Sequence, residues 1–303
     1  MKTERIPNTN LEVSHLCLGT MTFGTPVGEA DAIELTHWAM DHGVNFIDTA
    51  NMYEGYTRYI GSPGGVAEEI LGKALADRRE RVVLATKVGM KVGHAPEDEG
   101  TSPAAIRRQL DRSLQRLQTD SVDIYYLHRP DPDVPLADVL GALHEAIGQG
   151  KIRHYGVSNY SAEELAELLK VADENRLPRP VIHQPPYSLL KRDVEEDLLP
   201  LCQREDMAVA PYQALQGGLL TGKYRRDESP PTGSRKKEKA AWLPDLDDAL
   251  FDRLEQIKWE AEATGRTMME HAIRSVLEQP AVVSVVLGVK RIDQLEALVN
   301  MAD

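Results

Sequence analysis

A chain of 303 residues, 42% hydrophobic and 27% charged, can bury a large core as either one α/β domain or two smaller ones. Its formal net charge of −13 argues against a general nucleic-acid or anionic-membrane surface, so any anionic ligand needs a local basic cluster. Cys17 and Cys202, the only cysteines, lie in apolar surroundings, and the first residues (Met1-Lys2-Thr3-Glu4-Arg5) lack the apolar core of a signal peptide. With no apolar run long enough to span a bilayer, the expectation is a cytoplasmic protein with reduced, buried thiols.

Arg5-Ile6-Pro7 and Leu11-Glu12-Val13 flank the turn-forming Asn8-Thr9-Asn10, which predicts a small hairpin. A short apolar strand follows at 16–20, then a Gly- and Thr-rich loop and a helix over 29–42. The rhythm repeats: strands at 45–48, 82–86, 122–127, 152–157, 181–182, 207–210 and 282–287, and helices at 65–76, 103–117, 136–147, 161–172, 193–204, 267–277 and 292–299. Pro103 stands where a missing N–H costs nothing, and Ser161-Ala162-Glu163-Glu164 reads as a capping box. Short apolar strands alternating with amphipathic helices imply a parallel sheet covered by helices. Eight such units predict a closed (β/α)8 TIM barrel as a single domain over 1–303. The loop Gly19-Thr20-Met21-Thr22-Phe23-Gly24 lacks the Gly-x-Gly-x-x-Gly spacing of an open dinucleotide-binding sheet. One region breaks the rhythm: 216–248, after strand seven, is a long insertion rich in Gly, Pro, Lys and Arg, and loops of that length are usually functional or disordered.

In such a barrel the active site lies at the C-terminal ends of the strands. There the chain places Asp48, Lys87, His128, Ser158-Asn159, Gln184 and Tyr212-Gln213, on six consecutive strands. Tyr53 follows Asp48 in a polar loop. A strand-end Asp commonly caps a turn, and a loop Tyr commonly just packs, but six consecutive ends with ionisable or hydrogen-bonding groups point to a site.

In these stretches the sequence resembles the aldo-keto reductases: Phe46-Ile47-Asp48-Thr49-Ala50 with Tyr53, Thr86-Lys87, Leu127-His128-Arg129-Pro130-Asp131, and Gly150-Lys151-Ile152-Arg153 running into Gly156-Val157-Ser158-Asn159. Gln184 with Tyr187-Ser188-Leu189-Leu190 and Gly218-Leu219-Leu220-Thr221-Gly222-Lys223-Tyr224 continue the match, in order and nearly end to end. The resemblance implies a catalytic tetrad of Asp48, Tyr53, Lys87 and His128. Hydride delivered from a nicotinamide to a carbonyl carbon leaves an alkoxide that needs a proton, and a free tyrosine, with a pKa of about 10, is a poor acid near neutrality. An ammonium at Lys87, held by Asp48, is expected to lower that pKa, and His128 to orient the carbonyl oxygen.

The resemblance also implies a dinucleotide extended across the barrel mouth: the carboxamide on Ser158, Asn159 and Gln184, the nicotinamide ring stacked on Tyr212, and Gly19, Thr20 and Met21 on its other side. Gln213, Leu215, Gly217, Leu220 and Lys223 would follow the pyrophosphate, Arg235 would stack on the adenine, and Gly288, Lys290, Arg291 and Gln294 would complete the site. In a chain of this negative charge, the paired cations Lys290 and Arg291 suit the 2′-phosphate of NADPH/NADP+ rather than NADH.

The chain departs from the family pattern in several places. Ala297 and Leu298 replace the Glu-Asn that grips the adenine amine, Leu287 replaces a Pro, and His183 replaces an Asn and is expected as a second hydrogen-bonding group near the carboxamide. With the chain ending just after its last helix, an open substrate pocket is expected, lined by Met21, Phe23, Met52, Tyr56 and residues after His128; Arg58 and Arg129 could meet an anionic substrate there, and a solvated-surface role is the expectation for both. The function expected is NADPH-dependent reduction of a small aldehyde or ketone. The alternative is a weakly catalytic, cofactor-sensing regulatory subunit of the same fold. An isomerase or aldolase would need a sugar-phosphate site and a Schiff-base lysine. Substrate, direction and oligomeric state stay open.

Overall fold

The computed structural model describes residues 1–302. Strands β1 (Thr3–Arg5) and β2 (Glu12–Ser14) pair antiparallel as the expected hairpin. The other eight strands are β3 (Leu16–Gly19), β4 (Phe46–Asp48), β5 (Val83–Val88), β6 (Val122–Leu127), β7 (Ile152–Ser158), β8 (Ile182–Gln184), β9 (Ala208–Val209) and β10 (Val285–Leu287). They form one parallel sheet in the order β10-β3-β4-β5-β6-β7-β8-β9. The ends of that order meet. Val209 donates to the Ala281 carbonyl (2.7 Å), Val283 to Val209 (3.0 Å) and Val286 to Pro211 (2.9 Å), closing the (β/α)8 barrel.

The helices are α1 (Glu29–Asp41), α2 (Val66–Ala74), α3 (Pro103–Leu117), α4 (Leu136–Gly148), α5 (Ala162–Glu174), α6 (Leu198–Arg204), α7 (Arg235–Glu238), α8 (Asp248–Ala263), α9 (Met268–Leu277) and α10 (Ile292–Ala302). Their starts follow local chemistry. The Ser161 hydroxyl accepts from Glu164 N while the Glu164 carboxylate accepts from Ser161 N, closing the capping box, and Ser102 caps α3 one residue before Pro103. The helix expected over 193–204 divides into a 3-10 turn, Asp193–Glu195, and α6. Pro200 is the cause: it lacks an N–H and its ring would crowd the carbonyl four residues back, so the helix starts just before it. Helix α8 was not anticipated. Its buried residues, Phe251, Leu254, Ile257 and Ala261, form a narrow stripe on an otherwise charged segment, which a search for a broad apolar face passes over.

Strand alternation sorts the core into two layers. One set of positions, including Leu18, Ile47, Leu84, Leu127 and Val157, faces the helices. The other, including Cys17, Phe46, Val83, Ala85, Ile124, Tyr126, Ile182, Ala208 and Val286, fills the barrel, with Ile6, Leu11 and Val13 of the hairpin packed against its lower end. Two residues past an inward core position, each strand delivers another inward residue at the upper rim, so Asp48, Lys87, His128, Ser158 and Gln184 share one phase.

Gly156 shows how tight this interior is. A Cβ there would lie 2.6 Å from Tyr126 Cε1 and 2.7 Å from the Ile182 carbonyl. Gly156→Ala should therefore cost about 1–3 kcal/mol of overpacking. This is read as a lower urea midpoint at unchanged slope; an unchanged midpoint would show that the barrel interior yields.

Candidate active site

The site begins with how β4 and its loop are laid against β5. Thr49 N donates to the Ala85 carbonyl (2.9 Å) and Asn51 N to the Lys87 carbonyl (3.2 Å), continuing the ladder past the strand end. The Tyr53 backbone is then pinned from both sides: its N–H donates to Ala50 O, and its carbonyl accepts from Ala67 N in the first turn of α2, both at 3.0 Å. Behind β5, Thr86 donates to buried Glu68 at 2.5 Å, and Glu68 accepts from Arg116 Nε at 2.8 Å, which anchors the strand between α2 and α3.

On the inward side, Lys87 Nζ donates to Asp48 Oδ2 at 2.5 Å, to the Thr49 carbonyl at 2.9 Å and to the Tyr53 hydroxyl at 3.3 Å. An ammonium has three N–H donors, and all three are engaged. The other Asp48 oxygen accepts from Gln184 Nε2 at 2.9 Å. Lys87 is fully buried and Asp48 nearly so. The His128 ring stands edge-on to the Tyr53 ring, centroids 6.0 Å apart. The four residues come from three strand ends and one loop, and they converge.

Burial pulls the Lys87 pKa down, but Asp48 and the Tyr53 oxygen outweigh it and hold the group cationic, above the ordinary lysine value. Tyr53 goes the opposite way from expectation. Burial raises its pKa, and although Lys87 pulls it down, burial together with the Asp48 charge keeps it above the ordinary phenol value. Lys87 moderates a shift that it does not reverse. Burial, with the like charges of Lys87, Arg58 and Arg129, pushes His128 well below its usual value, so the imidazole is neutral. Its Nδ1 is buried without a partner. An orphaned lone pair costs less than an orphaned N–H, so the proton sits on Nε2.

A second group of expected residues forms a row beside the first. Ser158 Oγ donates to the Gln184 carbonyl (2.7 Å), Asn159 Nδ2 donates to the His128 carbonyl (2.8 Å) and Ser158 Oγ (3.1 Å), and Tyr212 OH donates to Asn159 Oδ1 (2.8 Å). Thr20 hydrogen-bonds the Asp48 carbonyl through both its N–H and its hydroxyl, placing Gly19, Thr20 and Met21 beside Asp48. Past β9, Gln213 is left-handed (φ 63°), and Gly217 and Gly218 (φ 63° and 97°) carry the chain back across the rim. At Gly218 a Cβ would lie 2.5 Å from Lys223 Nζ, an end that a flexible side chain can withdraw, so it is the φ of 97° that calls for glycine there.

The long insertion folds back to meet the loop that bears Tyr53. Trp242 stacks edge-on against Tyr56 (centroids 5.3 Å), and the Arg235 guanidinium lies 5.1 Å from the Tyr56 ring and 5.3 Å from that of Trp242. Lys290 Nζ approaches the same Tyr56 ring at 5.2 Å. Desolvation and the like charges of Lys290 and Arg235 push Lys223 below the ordinary lysine value. The Tyr56 hydroxyl is buried and unpartnered beside these cations. Crowded cations and an orphaned hydroxyl fit a phosphate-bearing ligand.

Several expected residues sit elsewhere. His183 faces the helix layer, its Nε2 against the Tyr160 carbonyl at 3.1 Å and its pKa pushed down to about 4 by burial, so it is no neighbour of a carboxamide. Phe23 is fully buried in the outer core, and Tyr56 lies beneath Trp242, which leaves Met21 and Met52 half-buried at the mouth. The Leu220 side chain is fully buried and its N–H donates to Leu215 O (3.3 Å). Leu298 packs in the core, and Ala297 offers no polar group where the family's adenine grip stands. Arg235 faces Tyr56 and Trp242. Gln294 Oε1 accepts from Lys290 N (2.9 Å), Lys290 is ion-paired with Glu238, and Arg291 with Asp293 (2.9 Å). Arg129 pairs with Glu99 at 3.0 Å, whereas Arg58 is half-buried on two backbone carbonyls. Sequence reading missed Glu238 and Trp242. The Lys-Lys-Glu-Lys-Ala-Ala-Trp run that holds them carries no signal of what it will face.

Comparison with known proteins follows the same lines as the geometry. The sequence profile of the Aldo/keto reductase family matches residues 15–303. The chain is 36% identical over 333 aligned residues to Protein tas of Escherichia coli, covering 98% of this chain and 91% of that protein. It is 32% identical over 305 residues to the aldo-keto reductase YhdN of Bacillus subtilis, covering 98% and 88%. It is 31% identical over 310 residues to a probable voltage-gated potassium channel subunit beta of Arabidopsis thaliana, covering 100% and 92%.

Removing either member of the Lys87–Asp48 pair strands the other charge in the interior. Asp48→Asn and Lys87→Met should each lower unfolding free energy by about 3–5 kcal/mol, and the double variant should lose clearly less than the sum. Urea unfolding of all four proteins at neutral pH reads the cycle. Strictly additive losses would mean that the pair is not energetically coupled.

Proposed function

We propose that this chain, which belongs to the aldo/keto reductase family, is an NADPH-dependent reductase of small aldehydes and ketones with Tyr53 as the general acid. The observation that carries this reading is the contact of one fully engaged, buried ammonium with the hydroxyl of a pinned tyrosine. A tyrosine whose pKa lies above the ordinary value is protonated throughout the neutral range, so the acid is loaded before substrate arrives. When the proton leaves, the phenolate forms 3.3 Å from a fixed cation, and Lys87 stabilises the product side of the transfer more than the reactant side. Asp48 keeps Lys87 charged, and Gln184 holds Asp48.

Neutral His128, with its proton on Nε2, donates a hydrogen bond to the carbonyl oxygen without competing to protonate it. The reduced nicotinamide, when bound, supplies the hydride to the carbonyl carbon. Ser158, Asn159 and Gln184 are the residues that would hold its carboxamide, with Tyr212 beside the ring. Asn159 has both amide hydrogens engaged and accepts from Tyr212 on Oδ1, so a carboxamide donor would meet the second lone pair of that oxygen. Lys223, Arg235 and Lys290 would hold phosphate. Bond accounting closes: carbon gains hydride, oxygen gains the Tyr53 proton, and the alcohol leaves.

The similarity to a plant potassium channel subunit supports the alternative of a cofactor-sensing protein. The completeness of the Asp48–Lys87–Tyr53–His128 set favours turnover.

Tyr53→Phe deletes one oxygen and keeps the ring. Single-turnover reduction of an activated aldehyde by the NADPH-loaded variant should slow by about 10²–10⁴-fold with NADPH affinity nearly unchanged. A parental rate would remove Tyr53 as the acid. In the parent, reduction should be flat from about pH 6 to 9, because Tyr53 stays protonated below its raised pKa. Alcohol oxidation needs the phenolate and should climb by about tenfold per pH unit over the same interval; a reduction rate falling from neutrality upward would contradict the assignment.

Cofactor choice is a separate test. Replacing Lys290 and Arg291 together with glutamine should weaken NADPH by about tenfold or more while sparing NADH, on the scale of charge-assisted hydrogen bonds. Equal loss of both would place the 2′-phosphate elsewhere.

A further inference from the structure

The rim on the substrate side carries a charge pattern that hydride transfer does not use. The loops after β4, β5 and β6 bring together Arg58, Lys91, Glu99 and Arg129. Glu99 is shared, lying 3.0 Å from Arg129 and 3.6 Å from Lys91. The neighbouring Asp98 is taken by Arg112 (2.8 Å) and Arg108 (3.4 Å). Among the described residues, no carboxylate lies within ion-pairing distance of Arg58. A chain with net charge −13 does not lack acidic residues to pair with it.

Arg58 is also held in a way that leaves it free to act. Its Nε donates to the Met52 carbonyl (3.2 Å) and one Nη2 hydrogen to the Lys91 carbonyl (2.8 Å). A guanidinium carries five N–H donors, so three remain. The two anchors are informative. Met52 immediately precedes Tyr53, and Lys91 is four residues beyond Lys87. The guanidinium is thus referenced to the proton donor and to the strand that bears the catalytic ammonium, and its charge is felt at His128. Half-burial strengthens what a cation there can do, because partial exclusion of water raises the worth of a charge-assisted bond. The guanidinium thus has two backbone anchors, spare donors and no carboxylate partner, beside the residues that the reductase reading places around the carbonyl.

Resting on the reductase reading above, we propose that the substrate is a carbonyl compound bearing a second, anionic group, a carboxylate or a phosphate. Arg58 holds that group while His128 and Tyr53 hold the carbonyl oxygen. Arg58 is a specificity determinant and takes no part in proton or hydride transfer. The Lys91–Glu99–Arg129 cluster beside it keeps the local field positive.

The test compares paired substrates that differ in one charge. 4-Carboxybenzaldehyde is set against 4-formylbenzamide, and glyceraldehyde 3-phosphate against glyceraldehyde, each reduced by the intact protein with NADPH. In the parent, kcat/KM should favour the charged member by tenfold or more, through KM, in at least one pair; which pair shows it identifies carboxylate or phosphate. In Arg58→Gln the ratio of charged to neutral kcat/KM should fall by about tenfold or more, on the scale of one charge-assisted contact. Arg58→Lys, which keeps the charge, should restore part of the ratio.

A ratio near one in the parent, or an equal loss on both members in Arg58→Gln, would overturn the proposal and reduce Arg58 to a loop anchor. Binding of terephthalamate, which has the carboxylate but no reducible aldehyde, to the NADPH-mixed protein provides a readout independent of turnover. It should weaken about tenfold in Arg58→Gln. If that shift appears while no aldehyde is reduced, the anion site stands and the reductase reading fails. If aldehydes are reduced and the shift is absent, the anion site fails alone.

Discussion

The Lys87–Asp48 pair is the constraint on which the rest of the site depends. Two full charges lie inside a barrel, where isolated charges are costly, and they are tolerable because every donor on the ammonium and both oxygens of the carboxylate are matched. The chain of contacts Gln184–Asp48–Lys87–Tyr53 spans β8, β4, β5 and the loop after β4, so the pair acts as a strut between elements that the sheet alone would leave free to adjust. The same low-dielectric setting that makes the pair expensive makes its influence on Tyr53 large. Moving it toward solvent would relieve the first effect and forfeit the second.

Much of this was legible in the sequence because a barrel converts periodicity into direction. Once eight strands are recognised, the residue at each strand end is known to stand at the mouth, and alternation decides whether it faces inward. Asp48, Lys87, His128, Ser158 and Gln184 could be read off in that way. His183 shows the same rule read one residue out of phase: it neighbours Gln184 in sequence and faces the opposite layer in space. Phe23 sits in a loop and Leu220 in a 3-10 segment broken by two glycines, where no period assigns a direction, and both are core.

What the sequence did not carry was the outcome of competition between terms. The expectation that Lys87 lowers the Tyr53 pKa names a real force, but burial opposes it, and only the surroundings decide which is larger. The insertion after β9 poses the same problem in packing. Its glycines announce unusual backbone, yet the meeting of Trp242, Arg235 and Lys290 around Tyr56 joins segments far apart in the chain, with no local pattern to foretell it. That meeting joins the cationic side of the mouth to the loop carrying Tyr53, three residues upstream of Tyr56.

The N-terminal hairpin has a role that its small size conceals. By packing Ile6, Leu11 and Val13 against the lower end of the barrel, it covers the floor of an interior already filled by Phe46, Ile124 and Tyr126. On the proposed reading, cofactor and substrate then share the upper rim. On the proposed reading, Tyr53 gives up its proton and regains it at that same rim, where its side chain is half-buried. The hairpin thus helps decide which end of the barrel stays open, from the end opposite Tyr53.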